Sequence, residues 1–216
     1  ALLLPVFTAL FGLRAAVPVL TIAQLASNGG RAWLNRRHVR WPIVGRFALG
    51  AVPFALAGGL LLAAAPLAPL KRLLGVFLLA VVVWRRWRTR ERSAPRTPSP
   101  RAFVAVGAAS GLGSGLLGTV GPLTAPFFLA QGLVREAYIG TEAACSLVMH
   151  LTKLAAYGAG SLLGPRVLLL GLVLTPTTLA GAWLGKHTVA RMSDRVFVLL
   201  VEAGLVAAGL LFVVGL

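Results

Sequence analysis

The chain has 216 residues, of which 58% are hydrophobic and only 12% are Asp, Glu, Lys or Arg. Soluble domains carry about 45–50% apolar and about 25% charged residues. The few charges are lopsided, 21 basic against 5 acidic, for a net charge of +16. This composition excludes an ordinary soluble enzyme and a disordered basic tail. It also speaks against a nucleic-acid partner, which needs the positive charge but not the apolar bulk. What fits is an all-α integral membrane protein with the lipid bilayer as its solvent. The single cysteine, Cys145, excludes an intrachain disulfide and a Cys-rich metal site.

A spanning helix needs about 20 apolar residues. In chain order the apolar stretches fall at residues 2–11, 15–30, 42–65, 70–84, 102–120, 123–130, 137–158, 167–185 and 196–216. They predict a polytopic protein with about seven or eight membrane segments, or more. The stretch at 15–30 is shorter and flecked with polar residues. Those at 2–11 and 123–130 are too short to cross; each contains a proline (Pro5, Pro126) followed by a glycine (Gly12, Gly132). Such broken pieces are tolerated at membrane depth only where protein or a cavity surrounds them.

Residues 85–101 form the one soluble-looking segment, with seven arginines, one acid and three prolines. It reads as a solvated basic linker without a core, placed on the cytoplasmic side by its charge. It divides the chain into a first transmembrane repeat at 1–84 and a second at 102–216. The two halves match internally. Leu4-Pro5-Val6-Phe7, running on to Gly12-Leu13, resembles Ala125-Pro126-Phe127-Phe128, running on to Gly132-Leu133. At an offset of 122, Asn28 falls on His150 and Arg31 on Lys153; at 123, the Pro-x-x-Leu-Ala-Gly starting at Pro53 falls on that at Pro176. A Gly-rich helix precedes the Pro126 piece, whereas only four residues precede Pro5. A complete first repeat is therefore expected to have about twenty more residues ahead of Ala1.

The charged loops set the orientation of the repeats. In the first half Arg31, Arg36, Arg37, His38 and Arg40 crowd the first loop, and the next holds only Lys71 and Arg72. In the second half the first loop, 161–166, is nearly neutral, and the one at 186–195 holds Lys186, Arg191 and Arg195. By the positive-inside rule the pattern has swapped sides. That swap predicts inverted repeats, a recurring transporter architecture.

The polar residues of the two corresponding helices are the strongest site signal. Glu142, Ser146, His150 and Lys153 are spaced by four, four and three; Thr21, Gln24, Asn28 and Arg31 by three, four and three. Each set lies on one helical face. Ionisable groups inside a spanning helix are expensive and normally face a cavity, a partner or a pathway. Two cations with amide, hydroxyl and imidazole donors make a seat for a small oxyanion. Glu142 and His150 are candidates for coupling or gating, His150 by taking up a proton. Arg31 has two readings, this one and a cation snorkelling to the interface beside its basic loop. Gly107, Gly111 and Gly115 read as a close-packing helix face. Around Gly121-Pro122 a helix must break, and its freed N–H groups could face an anion. The three histidines and few carboxylates give no metal-ligand spacing, and no nucleophile motif is present. Neither an enzyme nor a cofactor is expected.

The Gly-rich run from Gly111 to Pro122, the Ala-Tyr-Ile-Gly-Thr-Glu segment ending at Glu142 and the duplicated Pro-x-x-Leu-Ala-Gly resemble the TauE/SafE family, the sulfite exporters or probable membrane transporter proteins. The resemblance implies export of sulfite, sulfoacetate or a related sulfonate through the bacterial inner membrane by a multi-pass protein. The substrate would be seated by Gln24, Asn28, Arg31, Gly121, Ser146, His150 and Lys153. The alternative is a proton- or metal-cation-coupled carrier with Glu142 as its ion site. The reading also allows for a homodimer.

Overall fold

Proline and glycine set where the helices begin. In the computed structural model, which describes residues 7, 10–64, 99–117 and 121–214, seven helices are named: α1 (Leu13–Leu34), α2 (Trp41–Ala64), α3 (Pro100–Leu117), α4 (Gly121–Ala130), α5 (Arg135–Ala159), α6 (Pro165–Ala190) and α7 (Asp194–Val214). A single 3-10 turn, Arg36–His38, lies between α1 and α2. No strand occurs among the described residues. Pro42, Pro100, Pro122 and Pro165 each take the first or second place of a helix, where their missing N–H costs nothing.

Gly12 and Gly132, paired by the internal match, adopt φ of 72° and 73°. A Cβ at either would meet no atom within 4 Å, so backbone conformation and not crowding calls for glycine there. Pro53 and Pro176, also paired by the match, both lie inside their helices. Around Pro176 the hydroxyls of Thr175, Thr177 and Thr178 donate to the carbonyls of Gly171, Leu174 and Thr175, whereas the carbonyl that the proline deprives of its amide is that of Leu172.

The observed helices follow the expected stretches within a few residues, with one larger difference. The sixth helix continues to Ala190 and not to Gly185, because no breaker follows Gly185. Lys186 therefore lies on the helix and not in a loop, and its Nζ donates to the Leu34 carbonyl at 3.0 Å. The expected stretch at 70–84, the linker up to residue 98 and most of the stretch at 2–11 lie outside the described residues.

Glycine brings α2 and α3 together. A Cβ on Gly107 would sit 2.1 Å from the Phe47 carbonyl oxygen, one on Gly111 2.5 Å from that of Ala51, and one on Gly115 2.6 Å from the Gly59 nitrogen. The pairing advances in the same sense on both helices, so α2 and α3 run parallel with backbone against backbone, as small-residue stripes permit. A ladder of aromatic rings then fastens α3, α4, α5 and α7. Phe103 stacks on Phe128, Phe128 meets Tyr138 edge-on, and Tyr138 meets Phe197 at 5.2 Å. The ten-residue α4 is too short to span and is enclosed by protein: Thr124, Ala125 and Phe128 are buried.

Two of the described helices are long and apolar enough to cross a membrane, Trp41–Leu62 and Pro165–Ala190. At 1.5 Å per residue they reach about 33 and 39 Å, against about 30 Å of hydrocarbon. Leu168, Leu169, Leu172, Val173, Trp183 and Leu184 of α6 are exposed. An apolar face of this kind is at rest in lipid and costly in water.

Candidate functional site

The polar faces of α1 and α5 meet. Thr21 lies beside Tyr157, Gly29 packs toward Leu147 and Arg31 pairs with Glu142. Numbers rise on one helix as they fall on the other, so α1 and α5 run antiparallel and cross near Ser27 and Met149. The flanking contacts are parallel and reciprocal. On α1 and α6, Gly171 packs on Ile22, Gly30 approaches Leu179, and Thr178 donates to the Ala23 carbonyl at 3.2 Å. On α2 and α5, Gly59 packs against Ala156 and Tyr157.

The start of α5 is held by the connection after α1. Asn35 closes α1, its side-chain amide donating to the Arg31 carbonyl at 2.8 Å. Gly140 lies against Asn35, and the Arg40 amide donates to Thr141 Oγ1 at 3.0 Å. This docking brings Arg31 level with Glu142. Arg31 Nη1 stands 3.3 Å from Glu142 Oε2, and Arg31 also donates to Asn28 Oδ1. The other carboxylate oxygen accepts from Ser146 Oγ at 2.8 Å. Both oxygens of Glu142 are thus engaged, and its side chain is 11% exposed against 33% for Arg31.

Lys153 is fully buried and donates to Ser114 Oγ on α3 at 2.9 Å. One turn on, Tyr157 OH donates to the Gly115 carbonyl at 2.8 Å. His150 is buried, senses the charges of Lys153 and Arg31, and has no hydrogen-bond partner at Nδ1 among the described residues. From the crossing, Arg31 and Lys153 each lie about four residues along their own antiparallel helix. The two cations therefore flank the crossing on opposite sides, about 12 Å apart along the helix axes. Asn28 and His150 lie next to the crossing itself.

The structure thus gathers Asn28, Arg31, Glu142 and Ser146 into one connected cluster, and places His150 and Lys153 further along the same α5 face. Gln24 is half-buried and makes no hydrogen bond among the described residues. Gly121 is the first residue of α4, and residues 118–120 before it lie outside the described set. Sequence reading missed Ser110, Ser114 and Tyr157, all buried. Ser110 and Ser114 sit on the Gly-rich helix, where a serine reads as one more small packing residue. The cue was their i, i+4 spacing, along one flank of the glycine stripe.

No three His, Cys, Asp or Glu side chains among the described residues are placed to hold a metal ion. The arrangement is one of donors: guanidinium, ammonium, hydroxyls, amide and imidazole, with a single carboxylate already paired. Such a set can bind, orient and release an anion. No curated protein and no solved structure matches the chain. The family model described as sulfite exporter TauE/SafE matches residues 1–212 of the 216. The chain belongs to the TauE/SafE sulfite exporter family, a family of membrane transporters.

Proposed function

We propose that the chain exports a small sulfur-containing anion (sulfite, sulfoacetate or a related sulfonate) across the bacterial inner membrane. It does so as a multi-pass protein of two inverted repeats that give alternating access to a site at the α1–α5 crossing. The observation that carries this reading is that a half-buried Arg31 and a fully buried Lys153 lie on the facing, antiparallel helices α1 and α5, on either side of their crossing. An axis that inverts one repeat onto the other would exchange α1 with α5 and α2 with α6. The α1–α6 contact would then exchange with the α5–α2 contact, and both are parallel. On this face guanidinium, ammonium, hydroxyls and imidazole stand against one carboxylate that is already paired, a donor excess that favours an anion as the transported partner. A cytoplasm-negative potential favours outward movement of each negative charge by about 2.3 kcal/mol per 100 mV. Export then needs no obligatory coupling ion.

The engagement of Glu142 disfavours the cation-carrier alternative. Its Oε2 faces Arg31 and its Oε1 accepts from Ser146, so a metal ion or proton would first have to displace a guanidinium. The test is sulfite flux from proteoliposomes. Lys153→Gln and Arg31→Gln should abolish flux in protein that still folds, and Glu142→Gln should alter its rate without abolishing it. Wild-type flux in both cation variants would refute the site. Cation uptake that disappears with Glu142→Gln would establish the alternative.

A further inference from the structure

Helical hydroxyls in this chain find partners in two ways. Buried Thr21, part-buried Thr152 and Thr175 and exposed Thr188 each donate to the carbonyl four residues earlier, as serine and threonine do in apolar helices. Buried Ser114, Thr141 and Ser146 meet side chains or a backbone amide. Ser110 does neither. It is fully buried on α3, and its Oγ has no hydrogen-bond partner among the described residues. Leaving a buried hydroxyl unpaired costs on the order of 1–3 kcal/mol, and the local carbonyl was within easy reach.

Ser110 lies one turn before Ser114 on the same face of α3. Ser114 meets Lys153, and Gly115 meets Tyr157, so α3 and α5 run parallel here. One turn back along both helices, Ser110 comes level with His150. His150 Nδ1 is the second buried polar atom in this region with no partner among the described residues. Ser114 accepts from the Lys153 ammonium, which leaves its hydroxyl hydrogen to donate. The α3–α5 seam thus presents an ammonium, two hydroxyls and an imidazole nitrogen within one helical turn. The one carboxylate of the α5 polar face, Glu142, is about 16 Å up the helix from Lys153 and bound to Arg31.

We propose that this seam is the oxyanion seat, formed by Ser110, Ser114, His150 and Lys153, with Arg31 held outside it by Glu142. The proposal rests on the anion-transport reading and sharpens it. It moves the bound anion from between the two cations to the α3 side of Lys153, and it adds α3 to the site. The substrate class is a small tetrahedral or pyramidal oxyanion that accepts several hydrogen bonds from donors and offers none that need a carboxylate.

The experiment is titration of the purified full-length chain in detergent with sodium sulfite, and separately with sodium sulfate. Each titration is followed by calorimetry and by the unfolding temperature. Ser110→Ala and Ser114→Ala should each weaken anion binding about tenfold or more, as loss of a hydrogen bond to a charged group does. Without anion, Ser110→Ala should unfold at the same temperature as wild type or higher, because it removes a buried unpaired hydroxyl. A hydroxyl with a purely structural role would instead lower that temperature. Thr152→Val, which removes a hydroxyl bonded to its own helix, should bind like wild type. Wild-type affinity in Ser110→Ala and Ser114→Ala, with binding lost in Arg31→Gln, overturns the seat and leaves the transport reading standing. Failure of the wild-type chain to bind either anion overturns both.

Discussion

Replacing Glu142 with Gln keeps the shape of the side chain and removes its charge. It leaves the Arg31 guanidinium with Asn28 as an acceptor but without a countercharge. Exposed ion pairs contribute about 0.2–1 kcal/mol, and breaking a fully buried one costs about 3–5 kcal/mol. With side chains 33% and 11% exposed, the Arg31–Glu142 pair lies between these cases, and a loss of about 1–2 kcal/mol follows. For a chain of this size, that lowers the unfolding temperature by roughly 2–8 °C. Arg31→Gln should cost as much or more, because it strands the more buried charge, Glu142, with the Ser146 hydroxyl as its donor. The double variant should recover part of the loss, giving a coupling of about 1–2 kcal/mol in a double-mutant cycle. The assay is thermal unfolding of the four proteins in one detergent. Strict additivity, with coupling below about 0.5 kcal/mol, would refute the idea that Glu142 holds Arg31.

The remaining predictions concern packing. Gly107→Ala should force α2 and α3 apart and lower stability by about 1–3 kcal/mol or more, because its new Cβ would fall 2.1 Å from the Phe47 carbonyl oxygen. Gly181→Ala meets nothing within 4 Å and should be neutral or raise stability by up to about 1 kcal/mol; equal effects at the two sites would contradict the backbone contact. Lys186→Met should cost about 1 kcal/mol by freeing the Leu34 carbonyl. A Lys186→Met protein as stable as wild type would show that this cap contributes nothing.

Which parts of the molecule were legible in the sequence follows from what each signal measures. Glu142, Ser146, His150 and Lys153 stood out because ionisable residues on one face of an apolar helix have no inexpensive explanation. The short α4 was visible from Pro126 and Gly132. Periodicity shows that a face is polar but not which helix covers it. It could not foretell that Arg31 meets Glu142 while Lys153 meets Ser114. The end of α6 was misplaced by five residues because Gly185 reads as a terminator, yet here the helix simply runs through it. Ser110 and Ser114 were hidden by their neighbours, since amid Gly107, Gly111 and Gly115 the economical reading of a small residue is close packing.

The central claim is that this chain moves an anion by itself, driven by voltage. The direct measurement loads proteoliposomes and their bath with equal sulfite, imposes a potassium diffusion potential of about 100 mV, negative inside, and follows sulfite within the vesicles. The account predicts that the interior is depleted toward a gradient of up to about fifty-fold for a singly charged anion, and that Lys153→Gln vesicles keep their sulfite. Vesicles with the wild-type chain that retain sulfite as protein-free vesicles do would contradict it.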